Sequence, residues 1–416
     1  MSQNFSLSSV IGLQFGDEGK GQLVDYLTQQ HDIIVRYNGG ANAGHSVRVG
    51  DRKFVLHQTP VGCISAGKIG VLGNGVALHV PSFLDELAQL KDVGVTDYQL
   101  KIAHNAHLVM PYHFIEESLR QTLAVQVGNE PIGTTAKGIG PCYADKASRD
   151  TGIRVADLYE PETLKRRLAF IVALKNNTLS SLAATIGESY TPYSVEPLFE
   201  ECMAWAESLK DFATNASLYL LDQEQAGSRI LFEGANASKL DIDFGDYPYV
   251  TSSNGSNLGM TAGSGFLPDS EIQRFGVIKT YTSRVGNGPF PTELFGELAD
   301  EIRNKGKEFG STTERPRRIG WLDLPSLAET VRMNRANKLV LTGLFVLAQL
   351  EEFYVCTGYE NGEAILQRFE VSGDFQNAAS ELPVWCADLI ALIESRLAPV
   401  AAICIGPNRD QLIWRR

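Results

Sequence analysis

The chain has 416 residues, of which 44% are hydrophobic and 21% charged, with a formal net charge of −12. That length carries one large α/β domain or two or three smaller ones, and the composition is that of an ordinary soluble globular protein. The negative charge opposes broad binding to DNA or RNA, and no apolar run reaches the roughly 18 residues that cross a membrane, so neither is expected as a partner.

The first residues, "MSQNFSLSS", lack the charged and apolar halves of a signal peptide. Cys63, Cys142, Cys202, Cys356, Cys386 and Cys404 form no C-x-x-C pair. Both features predict a cytoplasmic protein with reduced thiols. A short apolar run, "SSVIGL" (8–13), leads through "LQFGDEGKGQ" (13–22) into helical spacing in "QLVDYLTQQ" (22–30). Further strands are expected over 32–38, 53–59, 68–76, 229–235, 276–285, 338–347, 352–358 and 400–406. Helices are expected over 82–94, much of 160–226, and 382–397. Several of the strands show no polar alternation, which predicts burial on both faces. The alternation of the two kinds predicts an α/β fold around a mostly parallel sheet. With no internal repeat and no low-complexity linker, residues 1–416 read as a single domain. Gly, Thr, Ser and Asn crowd at 127–156 and 233–266, and long loops of that kind are usually functional.

A Walker A loop needs Gly, four residues, then Gly-Lys-Ser/Thr. Counting back from Gly19-Lys20 puts Gln14 at the first glycine and Gly21 at the hydroxyl, so the opening loop is a different device. Gly16, Gly19 and Gly21 still let backbone amides turn inward, the following helix adds its positive end, and Lys20 reaches a phosphate oxygen. Asp17 has two functional readings there, a Mg²⁺ ligand beside phosphates or a base, and one structural reading, a helix cap. The second loop, "RYNGGANAGHS" (36–46), carries Gly39, Gly40, Asn42, Gly44 and His45. A histidine in a glycine-rich loop at a strand end is placed to stabilise charge on a reacting oxygen, the alternative being an idle turn residue.

These loops, with "IGTTAKGIGPCYADKASR" (132–149), "LFEGANASKLDIDFGDYPYVTSSN" (231–254), "VGNGPFPTEL" (285–294) and "GSTTERPRRIGWLD" (310–323), resemble adenylosuccinate synthetase in order and spacing along essentially the whole chain. The resemblance implies a single-domain α/β homodimer that joins L-aspartate to C6 of IMP through a 6-phosphoryl intermediate, with hydrolysis of a nucleoside triphosphate. It implies that Asp17 removes the purine N1 proton and ligates Mg²⁺, with the Gly44 carbonyl as second protein ligand. His45 would be the general acid at the departing bridging oxygen, and Lys20 would hold the phosphates. Donor contacts would include Gly16, Glu18, Gly19, Lys20, Gly21, Ser46, Arg317, Phe345 and Gly406. The acceptor nucleotide would meet Asn42, Thr134, Thr135, Asn236, Thr251 and Arg315, with Arg149 reaching across the dimer to the partner's nucleotide. Thr312, Thr313, Arg315 and Arg317 would hold aspartate, the arginines as bidentate forks.

The pattern breaks in places. Glu314 and Pro316 stand where the family usually has glycine and arginine. Family members read the donor's guanine with T-K-x-D, yet here Gly343 replaces the lysine and Phe345 the aspartate, and the last strand ends Cys404-Ile405-Gly406-Pro407. An apolar wall cannot replace guanine's hydrogen bonds. ATP or dATP is therefore expected to serve at least as well as GTP. Asn236 stands for a glutamine that bonds the acceptor's O6, which opens room beside the purine. Phage-associated relatives accept dGMP, so dGMP is the alternative acceptor to IMP, although those relatives replace the base that Asp17 keeps here. A catalytically dead paralogue is opposed by the intact Asp17, Lys20, His45, Arg315 and Arg317, and a Walker-type switch by the loop spacing.

Overall fold

The computed structural model describes residues 6–49, 52–130, 132–310, 315–375, 381–406 and 408–415, without the side chains of 46–49, 52 and 53. The central sheet has ten strands: β1 Leu7–Gly12, β2 Ile33–Arg36, β3 Lys68–Leu72, β4 Tyr98–Ala103, β5 Ala213–Thr214, β6 Ile230–Ala237, β7 Ile272–Lys279, β8 Lys338–Thr342, β9 Val400–Cys404 and β10 Leu412–Trp414. They lie in the order β5-β4-β3-β2-β6-β1-β7-β8-β9-β10, and every neighbouring pair is parallel except β9–β10. Every residue of β1, β2 and β9 is buried, as continuous apolar strands under helices require. In β1, Leu7 sits opposite Ile230 on one side and Ile272 on the other.

Two large apolar clusters flank this sheet. One gathers Phe83, Tyr112, Leu168 and Trp205 from helices Val80–Asp92, Pro111–Gln126, Pro161–Ile186 and Val195–Leu209. The other gathers Trp321, Leu327, Phe353 and Trp385 around helices Leu324–Asn334 and Val384–Arg396. A second, five-stranded sheet (Tyr281–Arg284, Glu293–Leu294, Arg318–Asp323, Glu352–Glu360 and Glu363–Glu370) stands beside it.

Five elements differ from the sequence reading. "KFVLHQT" joins a hairpin, Arg52–Leu56 against His45–Val49, instead of the central sheet. The run 276–285 splits at Thr280, its second half pairing in the smaller sheet. The run 338–347 is a strand only to Thr342. Gly343 takes a left-handed φ of 78°, which ends the strand and starts the helical turn Leu344–Leu347; apolar runs alone do not tell strand from helix. Strand Tyr98–Ala103 and helix Pro111–Gln126 also went unpredicted, their apolar residues being thinned by Gln99, Lys101, Glu116 and Glu117.

Because the strands run parallel, β1, β2, β6, β7, β8 and β9 all end at one edge. β1 lies between β6 and β7, with β2 beyond β6 and β8 beyond β7. The chain therefore turns off in opposite directions from the middle of the sheet, and the crevice outside such a point is where α/β sheets bind ligands. No helix among the described residues is long and apolar enough to cross a membrane.

Candidate active site

A cavity of about 1620 Å³ opens at that edge, walled by the loops that follow the strands. The β1 loop is folded around a buried carboxylate. Glu18 Oε1 accepts the amides of Gln14 (3.1 Å) and Gly16 (2.9 Å), and Oε2 accepts Lys20 Nζ (2.8 Å). Gln14 ties the loop to β7, accepting the Lys279 amide (2.8 Å) and donating to the Lys279 carbonyl (3.1 Å). Gly16, Asp17 and Gly19 adopt φ values of 91°, 59° and 83°. Successive turns of that kind aim amides into a concavity suited to anions. Gly19 is the N-cap of helix Lys20–Thr28, and no side chain caps it. The capping reading of Asp17 is thereby set aside, and Gly19, Lys20, Gly21 and Gln22 at the start of the helix line the cleft. The Glu18 carboxylate is engaged inward and its carbonyl accepts Thr342 Oγ1 (2.7 Å), so it shapes the loop from behind.

Asp17 stands clear of that scaffold, its side chain 43% exposed within the cleft, and its Oδ2 accepts Arg317 Nε at 2.8 Å. Burial at the cleft floor pushes its carboxyl up, but Arg317, Lys279 and Lys20 outweigh this and hold it below the usual carboxylate range. Lys279 Nζ is shared with Ser283 Oγ (2.8 Å) and both oxygens of Glu308 (2.8 Å each). Glu308 also accepts the Tyr281 hydroxyl and, through its carbonyl, the Arg317 amide (2.9 Å). The base of the loop bearing Arg315 and Arg317 is thus pinned to the end of β7. Thr312, Thr313 and Glu314 lie outside the described residues, as does the Ser46 side chain.

His45 is buried against β6. Its Nδ1 meets Glu233 Oε1 and its Nε2 lies 3.2 Å from the Ala235 carbonyl. Burial lowers its pKa more than Glu233 restores it. Glu233 is completely buried, takes the Val61 amide (3.0 Å) on Oε2, and is paired with Arg36 at 3.4 Å. The cleft wall continues with Asn42, whose Nδ2 donates to Thr251 Oγ1 (3.3 Å). The amide oxygens of Asn42 and Asn236 are buried and have no protein partner among the described residues. A Cβ on Gly39 would sit 3.3 Å from the one on Asn236 and 3.8 Å from the one on Asn42, so both oxygens border the same spot.

Thr134 and Thr135 form the far wall with Lys137 and Arg315; Thr134 Oγ1 accepts Gln121 and the Ala136 amide (3.3 Å). At the other end, Thr342, Gly343, Phe345 and Cys404 close the cleft. Burial pushes the Cys404 thiol up to about 12, so it presents no charge. Gly406 is not among the cleft-lining residues: its carbonyl accepts Gln22 Nε2 (2.9 Å) behind the first helix, and Cys404 takes its place in the wall. Arg149 is also outside the cleft, exposed and held at φ 73° at the end of helix Ile139–Ser148. Sequence reasoning missed Glu233, Lys279 and Glu308. The signal for the first two was a lone charge within an apolar run, which is costly unless paired.

Amides and a lysine gathered for phosphate, an ionised carboxylate beside them, and arginines opposite make this an α/β enzyme of nucleotide chemistry. The sequence model of the adenylosuccinate synthetase family matches residues 9–413, and the chain belongs to that family. Adenylosuccinate synthetases of Halothermothrix orenii and Salinibacter ruber are similar to it at 40% identity over 432 residues and 42% over 438, each covering 98% of both chains. The fully ligated adenylosuccinate synthetase of Plasmodium falciparum superposes with a TM-score of 0.89 at 35% identity, covering 99% of this chain and 100% of that one. A cyanophage S-2L succinoaminodeoxyadenylate synthetase, solved with dGMP and dATP, shares the fold at a TM-score of 0.64 and 19% identity, over 98% of this chain and 94% of its own. The chain is a C–N bond-forming ligase, joining L-aspartate to IMP to give adenylosuccinate.

Proposed function

We propose that the ligase works through a 6-phosphoryl purine made in this cleft, on one domain, with a donor site relaxed away from guanine. One observation carries the reading: Asp17 is held ionised at the point where the phosphate loop meets Arg317. A lactam oxygen is a poor nucleophile until N1 loses its proton, and Asp17 is the group free to take it. The purine O6 then attacks the γ-phosphorus, and the nucleoside diphosphate leaves with the bridging oxygen. Burial pushes the His45 pKa down and Glu233 pulls it back up. The negative triphosphate adds to that pull, so that the ring, aligned by Glu233, donates to that oxygen. Arg315 and Arg317 orient aspartate, whose amine displaces phosphate from C6.

Mg²⁺ takes few protein oxygens and shares its shell with substrate phosphates. Asp17 and the Gly44 carbonyl, which belong to the same cleft, suit it, and no cluster of three or more His, Cys, Asp or Glu forms a closed metal cage among the described residues. Bound there, the ion would neutralise charge on the transferring phosphoryl group.

The acceptor's 5′-phosphate falls to Thr134 and Thr135, and its base to Asn42, Asn236 and Thr251. Arg149, exposed and turned out of its own cleft, serves the partner's nucleotide in a cytoplasmic homodimer. A donor base meets Gly343, Phe345 and Cys404, none of which offers a carboxylate to guanine. A Cβ at Gly343 would sit 3.0 Å from the Tyr281 ring and 3.1 Å from Lys279 Cγ, so a side chain there is crowded as well as strained.

The test crosses IMP, dIMP, GMP and dGMP with ATP and GTP in the presence of Mg²⁺ and aspartate, with products identified by mass. Adenylosuccinate from IMP with either donor is expected. Turnover of dGMP alone would overturn the acceptor assignment and make the shorter Asn236 the reason.

A further inference from the structure

Away from the reacting atoms, a closed set of charged side chains joins three helices. Lys175, on helix Pro161–Ile186, donates from Nζ to Glu116 Oε2 at 2.7 Å and Asp145 Oδ1 at 2.8 Å. The other Asp145 oxygen faces His113 Nε2 at 2.8 Å, and His113 Nδ1 accepts the Met110 amide at 2.9 Å. The Met110 donor fixes the tautomer: Nδ1 is bare and Nε2 gives its proton to Asp145. The side chains of Lys175, Glu116 and Asp145 are only 8%, 4% and 8% exposed. The second Glu116 oxygen takes Arg120, which reaches solvent, so two cations balance two carboxylates.

Burying ion pairs is costly, and apolar replacements of similar volume are often as stable or more so. Stability is therefore a weak reason for this arrangement, and what it does well is fix geometry. Helix Ile139–Ser148, which carries Asp145, starts at Gly138, whose amide donates to Glu117 Oε2 at 2.6 Å. Thr134, Thr135 and Lys137 run directly into that start. At the other end the Asp145 carbonyl accepts the Arg149 amide at 3.1 Å. One short helix thus holds the acceptor-phosphate loop at its head and the interface arginine at its tail.

We infer that the Lys175–Asp145–Glu116 cluster is a positioning device for the acceptor phosphate, acting on both subunits at once. It locks helix Ile139–Ser148 to its neighbours, so that the loop offered to the subunit's own nucleotide and the Arg149 offered to the partner's are placed by one body. Lys175 is a positioning residue. This rests on the acceptor and dimer roles proposed above.

The test uses the near-isosteric triple variant E116Q/D145N/K175M, which leaves no charge buried in the cluster, since Arg120 is solvent-exposed, and keeps an acceptor for His113. Lys175→Arg serves as the conservative control. Differently tagged chains allow two mixed dimers to be purified, each with one site silenced by Asp17→Asn. In one, the working site has its own cluster broken; in the other, only its partner's. The KM for IMP is expected to rise in both, by about tenfold and up to about 100-fold. The donor KM should stay within about twofold, IMP binding by calorimetry should weaken in parallel, and Lys175→Arg should restore most of the affinity. Equal rises in IMP and donor KM would reduce the cluster to a general structural element. A rise in only one dimer would overturn the coupling of the two ends. If wild-type protein makes no adenylosuccinate, or the mixed dimers cannot be formed, it is the underlying reading that fails.

Discussion

At the end of the cleft proposed for phosphoryl transfer, Glu18, Gln14, Lys279 and Glu233 each satisfy two or more polar contacts, and the Asp17 carboxyl is held below the usual carboxylate range. At the base end, Gly343, Phe345 and Cys404 present ring, thiol and backbone. The two ends lie within one cavity, yet one is over-determined and the other nearly featureless. Chemistry that must place a proton and a phosphoryl group leaves no freedom in its scaffold. Choosing among donor bases that deliver the same γ-phosphate does, provided that the triphosphate is gripped elsewhere.

The largest effect is expected from Asp17→Asn. The loop fold rests on Glu18 and Gln14, so the variant should fold and bind IMP while turnover falls about 10² to 10⁴-fold, the usual worth of a general base. Retained turnover would move the base elsewhere. Phe345→Asp addresses the other end. It returns an acceptor for guanine's N–H groups, and the kcat/KM ratio of GTP to ATP should rise about 10- to 100-fold, the equivalent of a charged hydrogen bond. An unchanged ratio would mean that the base does not reach this wall.

Arg317→Met tests the charge pairing within the phosphoryl end. Arg317 helps hold the Asp17 carboxyl below its ordinary value of 3.8, so the wild-type acid limb from this group lies below that value. The same pairing stabilises the fold above the unfolded carboxyl's pKa and is lost as pH falls through the lowered one. Without the guanidinium the acid limb of kcat/KM should move upward, alongside a higher KM for aspartate. Thr342→Val should do least. It removes one buried bond to the Glu18 carbonyl, costing about 1 kcal/mol, read as a modest drop in Tm with little change in donor choice.

Much of this site was legible because its residues sit in loops, where glycine, histidine and aspartate have few structural excuses. Asp17, His45, Asn42 and Thr134 all came from such stretches and all line the cleft. What escaped were the supports. Glu233 and Lys279 look like stray charges in apolar strands until β6 and β7 are seen to end at the cleft. Glu308 becomes meaningful only when Lys279 lies 2.8 Å away. The fold followed the same line: buried parallel strands announced themselves, whereas Gly343 hid a strand end inside an apolar run, and the run 400–406 is a strand only to Cys404, beyond which Gly406 accepts Gln22.

The most direct measurement sets ATP against GTP in one reaction. IMP, aspartate and Mg²⁺ are supplied with equal, sub-saturating amounts of the two donors, and the appearance of ADP and GDP is followed together. Similar rates for both, with adenylosuccinate matching their sum, are what a polar transfer centre joined to an indifferent base pocket predicts. A preference for GTP of about 100-fold or more would contradict it, since discrimination of that size requires hydrogen bonds that Phe345 and Cys404 do not make.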